Sequence, residues 1–80
     1  MDTSKMTNQE MLVEYYKHIR GCIEIDPTKK YRVLVKPGDT QHKYFIGHKG
    51  GVRVGSNVTE SISLTHQIDM KKIKADVEAI

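Results

Sequence analysis

Apolar positions along the chain change their period twice. Leu12, Tyr15, Tyr16 and Ile19 recur at the three- and four-residue spacing of one helix face. Ahead of them, Thr7-Asn8-Gln9-Glu10 forms a capping box. The Thr7 hydroxyl can accept from the Glu10 backbone N–H while the Glu10 carboxylate reaches back. Met6 and Met11 occupy the two positions of a hydrophobic staple, and Gly21 follows as the residue that takes a left-handed conformation without a Cβ penalty. The pattern predicts a helix over 8–20.

The period then shortens to two. Alternation predicts strands over 22–25, 31–36, 42–47, 52–55 and 60–65. Asp26-Pro27-Thr28-Lys29 has the residues of a type I turn, and Lys36-Pro37-Gly38-Asp39 has Pro and Gly in the order of a type II turn. Helical spacing returns with Met70, Ile73, Val77 and Ile80, behind Asp69 as N-cap and with Ile68 and Ile73 as a staple. This predicts a second helix over 69–79. The order α-β-β-β-β-β-α with short connections reads as an α+β fold. An antiparallel meander of four to five strands would carry both helices on one face. A small, partly closed barrel is the alternative.

The segment Phe45 to Gly55, FIGHKGGVRVG, raises the first functional question, because glycines among basic residues can cradle a phosphate. Its flanks read as strands, so a hairpin is expected. A loop of His48, Lys49 and Gly50 would place Tyr44, Ile46, Val52 and Val54 on one face, with Gly50 as the left-handed residue of a bulged turn. A Gly50-Gly51 two-residue loop would bury Phe45 instead. The bulged form groups the apolar residues better. It puts Phe45 across from Arg53 on the opposite face, with Lys43. Taking Tyr31, Val33 and Val35 as core, Arg32, Leu34 and Lys36 join that outer face, and His48 and Lys49 crown its tip.

Charge sharpens this picture. The chain is one domain of 80 residues with net charge +3, but residues 29–55 hold seven bases against one acid. The segments on either side are slightly acidic. Such asymmetry points to a negatively charged partner. Arg32, Lys36, Lys43, Phe45, His48, Lys49 and Arg53 are the candidate binding residues. Lysines and arginines with an interleaved ring can hold nucleic acid, charge following phosphates and the ring stacking on a base.

Other chemistry finds little support. Ile46-Gly47-His48-Lys49-Gly50 resembles the I-G-x-x-G core of KH domains over five residues. In that family the loop joins two helices, whereas strands flank it here, so the family's function is not carried over. No Gly-Lys-Ser/Thr closes a P-loop. One cysteine, Cys22, excludes an internal disulfide, and His18, His42, His48 and His66 lack zinc spacing. No metal or cofactor is expected, and so short a domain leaves little room for a catalytic cleft. The N-terminal MDTSKMTNQE has no signal-peptide core, and no apolar run approaches the ~18 residues of a membrane span. A cytoplasmic, non-enzymatic binding protein is expected, with nucleic acid or a phosphate-containing ligand as partner. The alternative is an inhibitor or regulator of a larger machine, of the kind mobile elements carry. It would use an edge strand, or the basic face against an acidic protein surface, with the Tyr15/Tyr16 pair as a further contact.

Overall fold

The computed structural model describes residues 1–26 and 30–80, with only the backbone given for Asp26 and Thr40. The expected turn at Asp26-Pro27-Thr28-Lys29 lies outside the described residues. Helix α1 spans Asn8–Glu14 and continues as a π-helical turn, Tyr15–Ile19. Five strands follow, β1 (Ile23–Asp26), β2 (Arg32–Lys36), β3 (Asp39–Ile46), β4 (Val52–Gly55) and β5 (Ile62–Ser63). A 3-10 turn at Thr65–Gln67 leads to α2, Met70–Glu78. The sheet is antiparallel with strand order β1-β2-β3-β4-β5. It remains open rather than closing into a barrel. No helix among the described residues is long and apolar enough to cross a membrane.

Local sequence sets both helix starts. Thr7 accepts from the Glu10 N–H at 3.1 Å, and Glu10 Oε1 accepts from the Thr7 N–H at 3.2 Å. Asp69 caps α2 by accepting from the Lys71 N–H at 3.0 Å. Met6 and Ile68 pack against the core cluster that contains Met11 and Ile73, consistent with a staple role. At the far end of α1, Arg20 N–H reaches the Tyr15 carbonyl and Cys22 N–H reaches that of Tyr16, with Gly21 at φ +71° between them. These widened turns change the angular step of the helix. Ile19, expected on the buried stripe, is therefore 45% exposed, while Tyr16 is buried.

The core lies between the helices and one sheet face. Met11, Leu12, Val13 and Tyr16 of the first helical segment and Ile73 and Val77 of α2 close over Leu34, Ile46 and Val52. Tyr16 stacks at 4.7 Å on Tyr44 of β3, and Tyr15 meets it edge-on at 5.4 Å, nearer solvent.

The sidedness of β2 differs from the sequence expectation. Leu34 stands opposite Tyr44 and is fully buried on the helix side, while Val33 stands opposite Phe45 on the outer face. Arg32, Leu34 and Lys36 do not share a face with Phe45 and Arg53. The reason is that RVLVK has three apolar residues in a row, and Val33, Leu34 and Val35 are all buried. A strand covered on both sides carries no period-2 signal of its own, so pairing register decides its orientation. The fifth strand is also shorter than expected, and Ile62 on it is 72% exposed.

Candidate anion-binding cleft

The β3–β4 hairpin has the bulged form. Ile46 pairs with Val52, Phe45 with Arg53 and Tyr44 with Val54. The loop is His48, Lys49 and Gly50. Gly47 N–H donates to the Gly51 carbonyl at 2.7 Å, and Gly50 N–H donates to the Gly47 carbonyl at 2.9 Å. Gly50 lies at φ +97°. A Cβ there would also stand 2.7 Å from Asn8 Cβ at the start of α1. The helix holds the hairpin a second time, since Gln9 Nε2 donates to the Ile46 carbonyl at 3.0 Å. Gly50 thus serves the turn and its packing on α1.

The hairpin tip borders a cleft of about 380 Å³, lined by Lys30, Tyr31, His48, Lys49, Arg53, Ser63 and others. Antiparallel pairing assembles it. Arg32 opposite Ile46 brings the start of β2 beside the end of β3. Ser63 opposite Arg53 brings the end of β5 to the other side. A Cβ on Gly47 would meet the Tyr31 ring at 3.4 Å, so the ring lies across the base of the hairpin. Thr65 stands equally close to Gly51, its Oγ1 3.3 Å from where a Cβ would sit.

The side chains in the cleft are basic, aromatic or hydroxylic, and none of the described lining residues is acidic. His48 and Lys49 are exposed. Lys49 has no ion-pair partner among the described residues. Arg53 is fixed: Nε donates to Ser61 Oγ at 2.7 Å and Nη2 to the Ser61 carbonyl at 2.9 Å. Its charge therefore sits at one position rather than sweeping through solvent.

Of the seven residues singled out in the sequence, His48, Lys49 and Arg53 meet in this cleft. Lys43 and Phe45 line an adjoining apolar groove on the outer face. Phe45 is 7% exposed, so it forms a floor rather than an open stacking platform. Arg32 and Lys36 lie elsewhere. Arg32 forks onto Glu24 with bonds of 2.7 and 2.6 Å, neutralising its charge locally. That pair holds the Glu24 carboxyl below its usual range, chiefly through the hydrogen bond from Arg32. Lys36 stands beside the Pro37–Gly38 turn, opposite Asp39, at the other end of the β2–β3 hairpin.

Lys30, Tyr31, Ser63 and Thr65 were not expected in the site. Alternation alone predicts Tyr31 in the core. Register was the available signal, because a hairpin tip at the end of β3 must adjoin the start of β2. No group of three potential metal ligands comes together among the described residues. Comparison of the chain with protein-family models, curated proteins and solved structures returns no match.

Proposed function

We propose that this is a non-enzymatic binding protein that holds a phosphate-bearing partner, nucleic acid above all, at the tip of the β3–β4 hairpin. The supporting observation is the cleft itself. Lys30, His48, Lys49 and Arg53 converge there, with the Tyr31 ring and the Ser63 and Thr65 hydroxyls and no acid among the described lining residues. Phosphate is attracted to such a site by charge and positioned by donors. The Ser61 clamp on Arg53 reduces the ordering cost on binding.

The test is fluorescence anisotropy with short single-stranded and duplex oligonucleotides across a salt series. Affinity rises as salt falls, because phosphate contacts release counterions. Lys49→Glu weakens binding and flattens the salt slope. Lys71→Glu, on α2 and outside the cleft lining, leaves both nearly unchanged. Absence of binding at low salt would rule the reading out.

A second reading has one observation in its favour. β1 is an edge strand, and Ile23 and Ile25 on it are 51% and 47% exposed. An open apolar edge suits strand addition by a protein partner. Nuclease-resistant retention of one defined host protein, lost in Ile23→Lys and indifferent to Lys49→Glu, would favour this regulator reading over the first.

A further inference from the structure

The basic cleft has a neighbour. An apolar groove of about 470 Å³ lies on the outer sheet face, walled by Ile25, Val33, Phe45 and Val58, with Lys30 and Lys43 also on its lining. Lys30 and Tyr31 line both spaces, so the Tyr31 side chain stands where they meet. The geometry points to one bipartite site for single-stranded nucleic acid: backbone phosphates lie against Lys30, His48 and Lys49, and an unstacked base enters the groove beside Tyr31. This rests on the anion-binding reading above and deepens it by naming the class of partner.

Three features carry the assignment. The aliphatic and aromatic walls suit the flat face of a base rather than its hydrogen-bonding edge, which makes binding tolerant of sequence. The flanking charges are lysines. A purely apolar occupant would gain nothing from the Lys30 ammonium, whereas a base linked to phosphates engages the groove and Lys30 together. The groove is also small, near the low end of the ~300–1,000 Å³ typical of ligand sites. A duplex keeps its bases stacked inside and cannot offer one to such a groove without flipping it out.

The Val58 wall is built in advance. Asn57 Oδ1 accepts from the Thr59 and Glu60 N–H groups at 3.0 and 2.9 Å. Ser61 Oγ donates to the Val58 carbonyl at 2.7 Å while accepting from Arg53. Lys43 Nζ donates to the Ser56 carbonyl at 3.3 Å. The loop that carries Val58 is thus tied to the residue at the cleft, Arg53, and to the residue on the groove, Lys43. Such preorganisation favours capture of a flexible strand.

The experiment compares three probes of equal length at fixed low salt: single-stranded oligothymidine, an abasic oligonucleotide and a duplex. The expected result is single-stranded binding about tenfold tighter than abasic, from the stacked base. The neutral double variant Ile25→Ser/Val58→Ser removes that preference while keeping affinity for the abasic probe. Equal affinity of the wild-type protein for abasic and single-stranded probes overturns the base site and leaves the phosphate site standing. A duplex bound as tightly as the single strand overturns it as well. Failure of all three probes to bind removes both readings. The wild-type comparison decides the matter even if the double variant does not fold.

Discussion

Arg53 stands directly opposite Phe45 across the β3–β4 hairpin, yet its guanidinium is turned to Ser61, at 2.7 Å from Oγ and 2.9 Å from the carbonyl oxygen. The pairing is set by the turn, and the clamp is set by the following loop. Truncation to Arg53→Ala leaves the Ser61 carbonyl without this donor and is expected to cost about 1–3 kcal/mol. Arg53→Lys recovers less than half, because an ammonium cannot reproduce the planar fork. Denaturant unfolding measures both. An Arg53→Lys protein as stable as the wild type would show that the fork does not matter.

The inverted face of β2 has an energetic signature. Leu34 is fully buried between the sheet and α1, so Leu34→Ala is expected to destabilise by about 2–5 kcal/mol. Ile62, 72% exposed on β5, changes stability by less than about 0.5 kcal/mol when replaced by Ala. Equal costs at the two positions in chemical denaturation would contradict this packing.

Gly50 tests turn conformation and close approach separately. Its φ of +97° disfavours any side chain, and a new Cβ would lie 2.7 Å from Asn8 Cβ. Gly50→Ala should cost more than the ~1 kcal/mol of left-handed strain alone. In a double-mutant cycle, Asn8→Gly relieves the contact and leaves the strain. A coupling energy near zero would mean that the hairpin can move away from α1 freely.

The alkaline limb of stability should belong to Tyr16. Burial, with Tyr44 adding, pushes its phenol up to about 12 from the ordinary 10.0. A raised folded value means the unfolded chain ionises first. The stabilisation is fully present below pH 10 and is lost as pH rises towards about 12. Tyr16→Phe should flatten this limb in denaturation midpoints taken across that range, and tyrosinate absorbance should show one tyrosine ionising last. An unchanged limb in Tyr16→Phe would assign it to other groups.

Much of the architecture was legible because its signals are local. The Thr7–Glu10 box, the Asp69 cap and the Gly50 bulge each involve residues within a few positions of one another, so their chemistry constrains the chain before any distant contact forms. The site was only partly legible. His48 and Lys49 are carried by the turn itself and were found. The pairing of Arg32 is not legible, because its identity as a base says nothing of Glu24, which neutralises it across β1 and β2.

The sequence by itself therefore determined the element order, both helix caps and the register of the β3–β4 hairpin. Periodicity and turn chemistry act over short range and fix these without reference to the rest of the fold. The tertiary structure alone decided which way β2 faces. Val33, Leu34 and Val35 are all apolar, and only pairing with Phe45, Tyr44 and Lys43 breaks that degeneracy. The same pairing carried Lys30 and Tyr31 to the hairpin tip. The cleft thus exists because antiparallel strands bring residues distant in the chain to one end of the sheet, a relationship that no local pattern encodes.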